Sequence, residues 1–379
     1  MLCLCIGIEV AFAAKRFPVF NSPSGQIQPI VAPTGGNGFL VLGLDKNRLA
    51  ARRVEVTGGG EEKLFPLVLL PSNERGRWLA IEPDLRRETF LAVWSCHVAR
   101  LCGSILDRFG RRLGPRFVIS LNAPIGSTDV VRAQIAHDWV RKRWLVMWKT
   151  YGNWAEESFG FRILDEDGDP LGPPRSLAGG ESFGYDAPSD TLLVAWNEWD
   201  PQTGSGMVAQ FLSSAGRPLG PRRVLDRESS PPFVHWTGTG RRWLVTWICR
   251  GNDLCGRFFG DKAAIPSFRL KMKEGSSGYL ASIGHAPSRD RYLISWRVSF
   301  STGVDEIWAQ WLAPGGTSLR RRIRVSHRKG FVPANHGQFT ACSPDRPLCL
   351  VVWSGARKNR FGDVRNVFGR FLGLGADPE

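Results

Sequence analysis

The sequence predicts an all-β chain built of seven like units joined into a ring. Three observations carry that expectation. The first is a short apolar run that ends in tryptophan: WLVMW at Trp144 to Trp148, WLVTW at Trp243 to Trp247, FLAVW ending at Trp94, LLVAW at Trp196, YLISW at Trp296 and CLVVW at Trp353. A seventh copy, FLVLG, ends at Gly43. The run ends are 51, 54, 48, 51, 49 and 57 residues apart, and a period near fifty sets the architecture before any local reading does. The second is composition: 43 glycines and 25 prolines break many short apolar runs, and no long amphipathic helical pattern interrupts them. The third lies at the ends. The last unit stops after a third strand at Phe368 to Leu372, while KRFPVFNSP (Lys15 to Pro23) resembles the fourth-strand stretch PRFVISLNAP (Pro115 to Pro124). The amino-terminal strand can therefore complete the last unit and hide sheet edges that would otherwise invite aggregation.

Each unit reads as four strands. A moderately apolar strand comes first, as in AQIAH (Ala133 to His137) or SFGY (Ser182 to Tyr185). A polar turn leads to the tryptophan run, which is apolar on both faces and so belongs to a strand shielded on both sides. Its tryptophans read as core, since burying one such ring removes about 200 Å² from water. A variable loop leads to a third strand, as in FGFRILDEDG (Phe159 to Gly168) or MVAQFLSSAG (Met207 to Gly216). It ends in turns at Asp107 to Gly110, Asp165 to Gly168 and Ser213 to Gly216, with Leu-Gly-Pro following at Leu113, Leu171 and Leu219. Aspartate bonds its own backbone there and glycine supplies positive φ. Asp165, Asp167 and Asp169 also invite a calcium reading, but no bidentate glutamate follows at the right distance. A short fourth strand closes the unit, RFVIS at Arg116 to Ser120 or RIRVS at Arg322 to Ser326. The expected architecture is a seven-bladed β-propeller of four-stranded antiparallel blades, one domain over residues 15–379.

The amino end, MLCLCIGIEVAFAAKRF, is apolar with a small-x-small site at Ala11-Phe12-Ala13, so residues 1–14 read as a signal peptide. Glu9 and the lack of a basic start stand against that reading. No later segment reaches the roughly 20 apolar residues of a membrane span. Cysteine spacing supports export independently. Cys96 and Cys102 lie two and eight residues after Trp94, and Cys249 and Cys255 stand in the same places after Trp247. Cys342 and Cys349 flank another tight turn. Three local pairs bridging neighbouring strands imply an oxidising compartment, hence a secreted, periplasmic or cell-surface chain. A zinc site fits this spacing poorly.

The repeat of YLVVW-like run, variable loop, third strand, D-x-x-G-x-x-L-G and F-x-I-S resembles tandem repeats of secreted bacterial β-propeller proteins. The resemblance covers nearly the whole chain after the leader and is strongest around Trp94, Trp148 and Trp196. The first unit departs with Gly43 and TGGGEE, and the fifth with GDKAAIPS after Phe259. The resemblance implies an exported propeller and carries no catalytic residues across.

Chemistry is less legible. There is no H-E-x-x-H, no G-x-S-x-G, no phosphate loop and no S-x-D-x-G-x-x-W box, so neither a cofactor nor a metal is expected, and no catalytic residue is assigned. His137, His235 and His285 read as one recurrent slot, filled elsewhere by Tyr185, and a recurrent slot is a packing position. His97, His327 and His336 fall in variable segments. Glu156, Glu157, Asp305, Glu306 and Asp363 precede third strands, and carboxylates of this kind could serve a glycan hydrolase or lyase. The loops after the tryptophans vary most, which is where binding resides on a rigid scaffold. Tyr151, Trp154, Trp199 and Asp200 there suit sugar or peptide, with loop anchoring as the alternative.

The formal charge is +15, from 50 basic and 35 acidic residues, which makes polyanions natural partners. A generally arginine-rich proteome would give the same balance. The cations cluster in turns expected on the opposite face: Arg86, Arg87, Arg111, Arg112, Arg141, Lys142, Arg143, Arg241, Arg242, Arg321 and Arg322. They read as a solvated rim or as a polyanion-binding face. The functional expectation is a monomeric, secreted, non-enzymatic binding propeller for carbohydrate, an anionic polymer or a protein partner.

Overall fold

The computed structural model describes residues 16–22, 29–45, 48–58, 60–70, 78–97, 100–120, 129–151, 157–177, 179–200, 204–227, 231–238, 242–249, 253–260, 267–271, 276–300, 305–326, 339–359 and 362–373. Seven antiparallel sheets follow one another along the chain. Blade three is representative: Asp129–Asp138, Arg143–Tyr151, Glu157–Asp165 and Arg175–Leu177 lie side by side in chain order. The innermost strands of the others are Ile30–Gly35, Trp78–Asp84, Ser182–Asp186, Phe233–Trp236, Ser276–Ala286 and Thr340–Cys342. Each innermost strand lies against that of the next blade, and the seventh against the first, so the ring is closed. The chain is a seven-bladed β-propeller. Among the described residues there is no α-helix, and none is long and apolar enough to cross a membrane.

The ends meet as the sequence predicts. Phe17–Ser22 pairs antiparallel with Gly362–Gly373, placing Phe17 opposite Gly369 and Phe20 opposite Val367. Phe17 stacks on Phe371 at 5.4 Å, and the Arg52 guanidinium of blade one donates to the Val19 carbonyl at 2.7 Å. The first strand thus ties blade seven to blade one.

The tryptophan runs are the shielded second strands. Leu91, Ala92, Val93 and Trp94 are fully buried, and Trp148, Trp196, Trp247, Trp296 and Trp353 are all core. The Trp148 indole lies across Gly160 on the third strand, where an added Cβ would meet the ring at 2.2 Å. Trp247 donates its indole N–H to Asp226 of the preceding blade at 2.7 Å. Alternation is absent because both faces of the strand meet a neighbouring blade.

The turns repeat as chemistry more than as letters. An Asp165 carboxylate oxygen accepts the amides of Asp167 (3.0 Å) and Asp169 (2.8 Å), and Gly168 sits at φ +97°. Asp107 does the same for Phe109 and Arg111. In blade one the TGGGEE departure keeps the turn: Thr57 Oγ1 accepts the Glu61 amide at 3.2 Å, and Gly60 has φ +83°. A hydroxyl replaces a carboxylate and the backbone path survives. The turns between first and second strands repeat too, with a left-handed residue just before four of the second strands, at Glu88, Lys142, Asp190 and Asp290.

All three expected cysteine pairs are bridged: Cys96–Cys102, Cys249–Cys255 and Cys342–Cys349. The first two join the second and third strands of blades two and five, and the last joins the first two strands of blade seven. Each closes a short loop, so reduction is expected to cost about 2 kcal/mol per bridge. Thermal unfolding with and without dithiothreitol reads this, and an unchanged transition would show that the bridges constrain nothing.

Candidate functional site

The innermost strands of all seven blades enclose a cavity of about 460 Å³ at the hub. Its lining includes Leu85, Arg86, Trp139, Ala187, Gly238, Pro287 and Pro344 from the turns that follow those strands, so its mouth lies on that face. The same face carries the turns after the third strands, because Arg87 of the first kind ion-pairs with Asp167 of the second at 2.9 Å. Two residues before Gln134, which lines the cavity, Arg132 stands toward the other end. Its guanidinium reaches from blade three to the Pro232 carbonyl beside blade five at 3.2 Å.

Strand register defines a ring of equivalent positions inside the cavity. The leucine second in each apolar run faces one innermost residue: Ala32 opposite Leu40, Glu82 opposite Leu91, Ala136 opposite Leu145, Gly184 opposite Leu193, His235 opposite Leu244, Gly284 opposite Leu293 and Ala341 opposite Leu350. All seven line the cavity. Five are glycine or alanine, and the glycines let neighbouring innermost strands approach closely: an added Cβ would meet the Trp236 backbone nitrogen at 3.0 Å from Gly184 and Cys342 Sγ at 2.5 Å from Gly284. The other two are Glu82 in blade two and His235 in blade five, nearly across the ring from each other.

Among the described residues nothing hydrogen-bonds or ion-pairs with the Glu82 carboxyl, and the surface it keeps opens on the cavity. Desolvation alone pushes that carboxyl up to about 8. Desolvation, helped by neighbouring His285, pushes the His235 imidazole down to about 3. At neutral pH the hub therefore presents a carboxylic acid and a neutral imidazole, each able to donate and accept.

The expectation that His235 shares the slot of His137 and His285 is corrected. His137, Tyr185 and His285 pair with the first residue of their runs, Trp144, Leu192 and Tyr292. In blade five that place belongs to Trp236, opposite Trp243, and His235 sits one residue earlier. A one-residue shift in a strand turns a side chain to the other face. His235 therefore points toward blade six, where its ring centroid lies 6.5 Å from that of His285. The true slot residues pack as expected. His137 lies 4.3 Å from the Trp144 ring and 3.6 Å from Asp84, and His285 stacks on Tyr292 while its Nε2 meets Asp290 at 3.1 Å. Burial lowers both imidazoles.

Beside the mouth, Asp138 is fully buried and takes the Tyr185 hydroxyl at 2.6 Å and Arg143 Nε at 2.8 Å. Arg143 also donates to Asp190 at 2.7 Å, and the Tyr185 hydroxyl oxygen lies 2.7 Å from the same carboxylate oxygen, so its one proton is shared between Asp138 and Asp190. This network staples blade three to blade four. Burial pushes the Asp138 carboxyl up, but hydrogen bonds from Tyr185, the Arg141 amide and Arg143 outweigh it and hold the group below its ordinary range.

The cationic turns are largely engaged within the fold. Arg87 pairs with Asp167, Arg141 donates to the Ala187 carbonyl at 2.8 Å, and Arg242 reaches the Pro314 carbonyl. Arg86, Arg111 and Arg112 lie over the rings of Trp139, Phe109 and Trp94. Lys142, Arg321 and Arg322 are exposed, and Arg241 lies outside the described residues. The aromatic set is placed differently from its expected loops. The second strands run on through Tyr151 and Asp200, so Tyr151, Trp199 and Asp200 stand at strand ends, far from the turns that form the mouth. Long antiparallel hairpins absorb what reads as loop. The side chains of these three, and all of Trp154, lie outside the described residues, as do the His97 side chain, His327 and His336.

The sequence matches no protein-family model and no curated protein. Solved structures share the fold. An uncharacterised protein from Listeria monocytogenes EGD-e is 9% identical, with a TM-score of 0.49, over 89% of this chain and 92% of that one. Raptor from Chaetomium thermophilum is 10% identical, with a TM-score of 0.56, over 95% of this chain. This chain spans only 29% of that protein's length. Identity this low speaks for the fold alone, and a shared fold does not imply a shared function.

Proposed function

We propose that the protein is a secreted, non-enzymatic propeller that binds carbohydrate at the hub cavity. One observation carries the reading: a preformed cavity of about 460 Å³ lined by apolar walls, the rings of Trp139, Trp236 and Tyr185, and Glu82 and His235, neither of which has a hydrogen-bond or ion-pair partner among the described residues. Concave, mostly apolar sites with a few converging polar groups are where small ligands bind. The volume suits one or two sugar rings. Export is supported by the three bridges. The anionic-polymer alternative is weakened by the internal partners of Arg87, Arg141, Arg143 and Arg242. A hydrolase needs two working carboxyls. Among the described cavity residues these are Glu82 and Asp84, and Asp84 is already bonded to the amides of Arg86 and Arg87.

Calorimetric titration with oligosaccharides chosen from a glycan array tests this. Affinity is expected to change little between 50 and 500 mM salt and to fall about tenfold in Trp139→Ala, the loss of one stacked ring. Heparin binding that collapses with salt and ignores Trp139→Ala would instead favour the arginine rim. Polysaccharide turnover abolished by Glu198→Ala or Asp200→Ala would favour the hydrolase.

A further inference from the structure

The two polar members of the cavity ring carry more than a general affinity for sugar. Glu82 is the one ring position with an acid, and among the described residues it has no counter-ion. On its own strand, Asp84 is bonded to the turn amides, and Arg86 turns to the Trp139 ring at the mouth. From blade three, the titratable neighbour is His137, 3.6 Å from Asp84 and held toward its neutral form by burial. Blade one contributes Val31, Ala32 and Pro33 to this wall. Across the channel stand His235 and His285, both held neutral by burial. A desolvated carboxyl is stabilised only when a cation and its hydrogen bonds replace the lost water.

We propose that Glu82 and His235 form a subsite for a sugar ring bearing a free amino group, Glu82 pairing with the ammonium and His235 bonding a hydroxyl on the far side of the ring. This rests on the carbohydrate reading above. Both groups line the same cavity of about 460 Å³, which supplies the room. The neutral imidazole offers one acceptor and one N–H, which suits a hydroxyl. Burial holds the empty-site Glu82 carboxyl protonated at pH 7, since its pKa is about 8. Pairing with an ammonium favours the carboxylate, so the carboxyl proton passes to solvent as the complex forms while the ligand nitrogen keeps its own protons.

Three β-1,4-linked trisaccharides that differ only at C2 separate the possibilities: the trimers of glucosamine, N-acetylglucosamine and glucose. Titrated at pH 7 into the full chain, the glucosamine trimer is expected to bind at least tenfold more tightly than the other two. Its heat should vary with the ionisation enthalpy of the buffer, reporting release of up to one proton. Glu82→Gln, which keeps the side chain's shape, should erase the preference and the proton release, so that the three trimers bind the variant within about twofold of one another. His235→Ala should weaken all three. Near-UV circular dichroism of both variants checks that the fold is kept. Equal binding of the three trimers, or a preference that survives Glu82→Gln, overturns the amino-sugar subsite and leaves the carbohydrate reading standing. Failure of all three to bind overturns the subsite and counts against the reading beneath it.

Discussion

A chain lacking residues 1–22 is expected to unfold at least 10 °C below the full chain and to aggregate on storage. The deletion removes Phe17, Val19 and Phe20, all buried, from the seam between blades seven and one. At about 2 kcal/mol for each apolar side chain, burial alone accounts for about 6 kcal/mol. A chain of this size loses roughly 2 °C of melting temperature per kcal/mol. The ladder to Gly362–Gly373 and the Arg52 bond to Val19 go as well, and that strand becomes a bare edge open to other chains. Scanning calorimetry with light scattering reads both effects. An unchanged melting temperature would mean that the ring holds without its clasp.

The second large effect is expected at Asp138→Ala. Asp138 has no exposed surface, and its loss takes from Arg143 and the Tyr185 hydroxyl one of the two carboxylates they share, leaving Asp190 alone to balance them. Removing one member of a buried, hydrogen-bonded charge set costs about 3–5 kcal/mol. The effect should depend on pH in one direction. The folded-state Asp138 pKa is depressed, so its contribution is full above the ordinary carboxylate range near pH 4. It fades as pH falls through the lower folded value. Urea unfolding of parent and variant from pH 7 to pH 3 should show a gap that narrows at the acid end. A gap that is constant or widens there would remove the charge argument and leave only packing.

Particular residues show why some features were legible and others were not. The turn at Asp165 could be read because aspartate and glycine report local backbone conformation. The turn at Thr57 reads as a departure, although its backbone hydrogen bonds are those of the aspartate turns. No sequence motif surrounds Glu82. A signal was present nonetheless: in six units the ring residue lies nine positions before the leucine of the run, and in the first unit eight. Alignment on that leucine lines up Ala32, Glu82, Ala136, Gly184, His235, Gly284 and Ala341. Alignment on the tryptophan and the histidines misplaced His235 by one residue, and in a strand one residue is the difference between two faces.

Residue order alone determined the number of blades, the order of strands within each, the clasp of the first strand on the last blade and the three cysteine bridges. These features rest on periodicity and on partners close in sequence or repeated along it. The closed ring decided the rest. It brought Glu82 and His235 into one cavity from blades more than 150 residues apart along the chain, and it turned Arg87, Arg141 and Arg143 inward to partners on the next blade. Which side chains meet across a hub, and which charges are left for a ligand, depends on distances that exist only once the blades have packed.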